Sequence, residues 1–158
     1  MAFQVYNASA GSGKTYTLTK EYLKILLVAT DNDTYKKILA ITFTNKAVEE
    51  MKSRIIESLI AFTKDEVSEK TANFMQEIAS EIKLDVSTIQ QKSRKILKNL
   101  IHNYAAFDIS TIDKFTHRII RTFTHDLNLP TNFDVTLDTD ELLKNAIDVV
   151  VAKAGEED

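Results

Sequence analysis

The stretch YNASAGSGKTYTL, residues 6–18, holds two of the chain's three glycines, Gly11 and Gly13, directly before Lys14 and Thr15. A short extended apolar run, residues 3–6, precedes it. A segment with apolar residues at helical spacing follows: Leu18, Tyr22, Ile25 and Leu26. A strand that turns through glycines into a helix is built for phosphate. The first N–H groups of a helix point out at an anion. Glycine permits the positive-φ conformations of the turn and lets a phosphate approach the backbone. Lys14 can reach the β/γ-phosphates of a nucleotide, and the Thr15 hydroxyl can ligate Mg²⁺. The candidate nucleotide-binding residues are therefore Ala8, Ser9, Ala10, Gly11, Ser12, Gly13, Lys14, Thr15 and Tyr16. Lys14 and Thr15 are the candidate catalytic groups, and ATP with Mg²⁺ the candidate ligands. The strict phosphate-loop pattern G-x-x-x-x-G-K-[ST] has glycine where Ala8 stands, so the match is A-x-x-G-x-G-K-T. The plain alternative is a glycine-rich turn that caps a helix.

The bulk numbers narrow the setting. The 158 residues suffice for one domain with a real core. Cysteine is absent, which leaves no disulfide framework and no thiolate metal site and fits a reducing, cytoplasmic compartment. No leader pattern is legible before the loop, and no apolar run approaches transmembrane length. The net charge is −3, whereas nucleic-acid binders usually carry a basic excess. Any nucleic-acid site must be a local patch, or be completed by residues outside this chain. The last residues, Gly155 to Asp158, follow a helix directly, and the chain is read as a fragment of a longer protein.

Strands and helices are expected to alternate. ILAITF, residues 38–43, is a continuous apolar strand of the kind buried on both faces of a parallel sheet. A helix from Asn45 carries an inner stripe of Val48, Met51, Ile55, Leu59 and Phe62. Thr63 with Glu66, and Ser87 with Gln90, match capping boxes. They open two helices, through Val67, Phe74, Ile78 and Ile82, and through Ile96, Leu100 and Tyr104. This pair, about residues 63–106, reads as a helical insertion. FDIST, residues 107–111, is a further strand. The helix after it carries Ile112, Phe115, Ile119, Phe123 and Leu127 and stops before Pro130. FDVTL, residues 133–137, is a short candidate strand. A last helix, capped by Asp138 and Glu141 with Leu142, Leu143, Ala146 and Val150 inside, leads from about residue 138 into a following subdomain. The alternation predicts an α/β three-layer sandwich with a mostly parallel sheet, incomplete at its C-terminal part.

The loop with Ala8 in place of glycine and with Gly11 added resembles the Walker A loop of superfamily 1 DNA helicases. ILAITFTNKAVEEMKSRI, residues 38–55, is similar to that superfamily's second motif, T-F-T-N-K-A-A-x-E-M. ISTIDKFTHRIIR, residues 109–121, is similar to its later motif, T-I-H-S-F-x-x-x-I-L-R. In this order they resemble UvrD/Rep-type helicases, nearest the branch of the RecB and AddA recombination helicase–nucleases. The resemblance implies a P-loop, RecA-like fold: the N-terminal part of the first motor domain of an ATP-dependent helicase of DNA repair or recombination. It implies ATP and Mg²⁺ at Gly11, Gly13, Lys14 and Thr15. It places Phe43, Thr44, Asn45 and Thr111 on a single-stranded DNA track, and a partner subunit in a helicase–nuclease complex beside the chain.

Elementary chemistry is compatible with these roles. Thr44 and Asn45 start a helix, where hydroxyl, amide and N–H groups can hold a DNA phosphate. Phe43 offers a ring to a base. The alternatives are ordinary N-capping for Thr44 and Asn45, a core aromatic for Phe43, and solvated ion-pair partners of Glu50 for Lys46 and Arg54. Asp113 and Lys114 stand where the family has His-Ser, and a carboxylate there would repel a phosphate, so no DNA contact is assigned to Asp113. No apolar run leads into Asp-Glu, so no Walker B carboxylate is identified, nor an arginine finger or an adenine-reading residue. His102, His117 and His125 lack ligand spacing and read as surface or capping residues. The rival functions are another P-loop enzyme, such as a small-molecule kinase, and a nucleotide-binding module that does not hydrolyse ATP. As a fragment, the chain is expected to be inactive by itself.

Overall fold

The computed structural model describes residues 5–6, 13–130, 132–133 and 139–154. The expected first strand, residues 3–6, lies mostly outside the described residues. So does the candidate strand at residues 133–137, apart from Phe133. Two compact units divide the chain, residues 1–115 and 116–158.

The first unit begins with helix α1 (Lys14–Val28) and a 3-10 turn (Thr34–Lys37), which lead into strand β1 (Ala40–Thr42). Helices α2 (Asn45–Phe62), α3 (Glu69–Ile82) and α4 (Val86–His102) follow, then strand β2 (Ile109–Thr111) and the start of α5 (Ile112–Thr122). β1 and β2 pair in parallel, with Ala40 beside Ile109, Ile41 beside Ser110 and Thr42 beside Thr111. The fold is α/β, an open parallel sheet flanked by helices, as the alternation predicts.

The core sits where α1, α2, α3 and α4 meet. The α2 stripe is as read from the sequence: Val48, Met51, Ile55, Leu59 and Phe62 are all buried. They face Leu23, Leu27, Ile78, Ile96 and Leu100 in one continuous cluster. Tyr35 is fully buried, and its hydroxyl donates to the Asn99 carbonyl at 2.9 Å. The Lys92 ammonium reaches the last turn of α1 and donates to the carbonyls of Leu27 (2.6 Å) and Ala29 (2.9 Å). Those carbonyls have no partner within the helix, and a cation there also meets the negative end of the helix dipole.

Several local expectations are corrected. The strand over residues 38–43 is shorter and is not buried on both faces. Ile109 and Thr111 are buried on the face shared with Ala40 and Thr42, whereas Ile41 on the other face is 42% exposed. In α1, Leu18 and Ile25 are exposed, while Thr19, Leu23 and Leu27 join Tyr22 and Leu26 in the interior. Thr63 does not open a helix. It closes α2, its hydroxyl donating to the Ile60 carbonyl at 2.7 Å. Ser68 caps α3 instead, accepting from the Thr71 N–H. Ser87 gives way to Asp85, whose carboxylate accepts from the Thr88 N–H at 2.8 Å and from the Ser87 and Thr88 hydroxyls. A charged acceptor at a helix N-terminus outcompetes a neutral hydroxyl because the dipole favours it. Tyr104 falls in a 3-10 turn (Tyr104–Ala106) and is exposed.

In the second unit, α5 ends at Thr122 and the chain continues through turns, with Asn128 at φ 52°. The His117 and Phe133 rings lie 5.3 Å apart. Helix α6 (Thr139–Lys153) has no buried residue. Leu142, Leu143 and Val150, expected inside, are exposed because no described element of the unit covers that face.

Hydrogen bonds from Ser87 and Thr88 hold the Asp85 carboxyl well below its ordinary range. A depressed folded pKa contributes stability above the unfolded value of 3.8 that is lost as pH falls below it. Asp85→Ala should destabilise the chain at pH 7 by more than Ser87→Ala does. Chemical denaturation of both variants at pH 7 and pH 3 checks the order, and the gap between them should narrow at the lower pH.

Candidate functional site

The glycine loop enters α1 through a left-handed residue. Gly13 has φ 81° and ψ 19° and occupies the N-cap position. Among the described residues a Cβ built there meets nothing within 4 Å, and the demand for glycine that the structure shows is torsional, the cost of positive φ. Gly13 offers no side-chain cap, and α1 has no acidic residue in its first turn. The first bond along the helix runs from the Thr17 N–H to the Gly13 carbonyl at 2.9 Å. The N–H groups before Thr17 lack an intrahelical acceptor and sit at the positive end of the dipole, the arrangement that receives an anion.

Lys14 is exposed and Thr15 half-buried in this first turn. Tyr16 turns away towards α3: its hydroxyl donates to Glu77 at 2.6 Å and its ring lies 5.1 Å from that of Phe74. Partial burial, and then the hydrogen bond to the Glu77 carboxylate, push the Tyr16 phenol up to about 12. Ala8, Ser9, Ala10, Gly11 and Ser12 lie outside the described residues.

A second cluster gathers where the parallel strands end. The register puts Thr42 beside Thr111, so the residues that follow each strand emerge side by side. Phe43 is 82% exposed, which excludes a core role for its ring. Thr44 is the N-cap of α2 and accepts from the Ala47 N–H at 3.1 Å. Its carbonyl accepts from the Thr42 hydroxyl at 3.1 Å. Asn45 and Lys46 are exposed in the first turn of α2, which has no acidic residue. Thr111 is 5% exposed, and its hydroxyl accepts from the Lys114 N–H at 3.2 Å, so this side chain opens α5. Asp113 is exposed in the same first turn of α5. Arg54 pairs with Glu50 at 2.7 Å, one turn apart, as a solvated ion pair. Among the described residues no group of His, Asp or Glu has the arrangement of a metal site.

A family of known sequences fits this layout. Residues 4–157 match the UvrD/REP helicase N-terminal domain. The chain belongs to the UvrD/Rep helicase family. Among relatives in that family, an ATP-dependent helicase/nuclease subunit of Lactobacillus acidophilus is 33% identical over 132 residues, 84% of this chain and 9% of the relative. Its counterpart in Lactobacillus johnsonii is 35% identical over 140 residues, 87% and 9% respectively. The RecB subunit of the RecBCD enzyme of Haemophilus influenzae is 31% identical over 148 residues, 86% and 12%. The chain thus relates to RecB- and AddA-type helicase–nucleases and spans about a tenth of the length of these curated relatives. No solved structure matches it. No helix among the described residues is long and apolar enough to cross a membrane.

Sequence reasoning missed the bonds of Tyr16 to α3, because their partner stands 61 residues away. Gly13→Ala should destabilise the chain by about 1–2 kcal/mol, and Gly13→Asn by less, because Asn tolerates the left-handed region. Thermal melts of the two variants check the order. Phe43→Ala should change stability by about 0.5 kcal/mol or less, as for an exposed side chain, against about 3–5 kcal/mol for a core aromatic.

Proposed function

We propose that the chain is the ATP-binding part of the first motor domain of a single-stranded DNA translocase that serves DNA repair or recombination in the cytoplasm, beside a partner subunit. The observation that carries this reading is the left-handed Gly13 leading into the uncapped start of α1, with Lys14 and Thr15 in its first turn. Family membership and the relatives' names support it.

In this reading ATP is the substrate, and its phosphates lie against the N–H groups of residues 11–15. Lys14 binds the β/γ-phosphates as a point charge on a flexible stem. The half-buried Thr15 hydroxyl would hold the metal. Mg²⁺ supplies neutralisation of phosphate charge when bound. Hydrolysis also needs a positioned water and a metal-holding carboxylate, and the sequence offers no Walker B pattern for either. The DNA strand crosses the C-terminal edge of the parallel pair, where open α/β sheets take their ligands. Its phosphates meet the start of α2 at Thr44 and Asn45, and a base stacks on Phe43. Thr111 lies beside them and supports the edge.

Isothermal titration of the chain with Mg·ATP should show binding that Lys14→Ala weakens by about tenfold or more, a charge-assisted contact or two. Equal affinities would remove Lys14 from the site. Steady-state phosphate release with single-stranded DNA present should stay well below about one per second, the lower end of ordinary turnover. Fluorescence anisotropy with an oligothymidine should show weak binding that falls steeply with added salt, because phosphate contacts dominate. Phe43→Ala should cost about 1–3 kcal/mol of that affinity, the worth of one stacked base.

A further inference from the structure

The N-cap residue of α1 is a glycine without a side-chain bond. A lateral hold on this helix comes from α3, far along the chain. The Tyr16 hydroxyl donates to one oxygen of Glu77 at 2.6 Å, and the Lys20 ammonium donates to the other at 2.7 Å. Lys20 also reaches Glu81 at 2.8 Å, and Lys24 meets the second oxygen of Glu81 at 2.8 Å. Tyr16, Lys20 and Lys24 stand four residues apart, on successive turns of one face of α1. Glu77 and Glu81 stand four apart on α3. Both carboxylates use both oxygens, so a rotation or a one-turn slide of α1 against α3 would break several bonds together. Lys20 is largely covered while the two glutamates are about two-fifths exposed. Half-exposed ion pairs add little to overall stability, so this ladder sets register more than it adds free energy.

We propose that Glu77 is a positioning residue for the nucleotide phosphates: it fixes the first turn of α1 through Tyr16 and Lys20, and so sets where Lys14 and Thr15 stand. The inference rests on the reading that this turn holds those phosphates. It gives the helical segment between the strands a task, since a displacement of α3 is passed to the first turn of α1 through Glu77. Phosphate recognition is sensitive to such placement, because a misplacement of about 1 Å can cost about a hundredfold in rate.

The test uses the full 158-residue chain. Mg·ATP is titrated into the wild type, Glu77→Gln, Tyr16→Phe, Lys14→Ala and the double variant of Glu77→Gln with Lys14→Ala. Melting temperatures are measured in parallel, and the amide resonances of Gly13 and Thr15 are followed without nucleotide. Glu77→Gln should weaken Mg·ATP binding by roughly three- to tenfold, about the worth of one hydrogen bond. It should shift the Gly13 and Thr15 amides and leave the melting temperature within a few degrees. In the Lys14→Ala background the same change should cost little more, because Glu77 acts through the turn that carries Lys14. Tyr16→Phe, which removes no charge and no ring, should reproduce part of the loss. Unchanged affinity and unchanged amides in Glu77→Gln, with Lys14→Ala still impaired, overturn the positioning role alone. A loss of the same size in both backgrounds, or one tracking a fall in melting temperature, assigns Glu77 to structure and also overturns it. Absence of Mg·ATP binding in the wild type, or no effect of Lys14→Ala, overturns the nucleotide reading and the inference with it.

Discussion

Two parallel strands cannot be joined by a tight turn, because the chain must travel back the full length of the sheet before it can pair again. In this protein β1 and β2 pair in parallel, and residues 43–108 make that journey. The return is not one helix but three. α2 covers the strands, and α3 and α4 then pack on α2 and α1 before the chain re-enters the sheet. The same constraint gathers chemistry at one edge. Parallel strands finish at a common end, so the peptides leaving Thr42 and Thr111 emerge as neighbours, each opening a helix. Helix starts carry unpaired N–H groups, which makes that edge receptive to anions without any excess of basic residues. A chain with net charge −3 can therefore still offer a phosphate-binding edge.

Legibility in the sequence followed how local each determinant was. The α2 stripe can be read because its apolar residues recur at helical spacing between charged ones, with Ile60 the apolar residue left exposed. The α1 stripe is legible in part: Tyr22 and Leu26 are buried as its spacing predicts, whereas Leu18 and Ile25 are exposed. Its last turns, KILLV, are apolar on several sides, so packing decides which side is inward, and it selects Leu23 and Leu27 over Leu18 and Ile25. The caps were misplaced by a few residues because Thr63, Ser68, Asp85 and Ser87 are all competent caps. Which one serves depends on where the preceding helix ends and on which acceptor carries charge. The depth of burial of β1 could not be read, since an apolar run states what a strand tolerates and not what covers it.

The candidate site divides the same way. Gly13 was legible because a positive φ at a helix entrance leaves few other choices of residue. Tyr16 was not, because its partners Phe74 and Glu77 come from α3. It stands within the loop motif by sequence and against α3 by side chain. Asp113, foreign to the family pattern, sits exposed in the first turn of α5, where a carboxylate favours the helix dipole whether or not a ligand comes near.

Capping and phosphate recognition are not rival uses of Thr44. Its hydroxyl oxygen accepts the Ala47 N–H, and the same hydroxyl still has a proton to give. The cap fixes the oxygen, and with it the cone that the proton sweeps, while the N–H groups of Asn45 and Lys46 remain without intrahelical partners. A phosphate at this turn would meet a donor already oriented by the fold, so less rotamer freedom is lost on binding. Thr111 differs. Its hydroxyl is likewise engaged by a helix N–H, at Lys114, but the side chain is buried, so its effect on a ligand passes through the placement of β2 and α5. Phe43 completes the contrast, since a ring left 82% exposed between a strand and a helix cap contributes little to the core. Of the residues at this edge, the buried threonine serves the scaffold, the capping threonine keeps a hydroxyl proton to give, and the open ring adds little to the core.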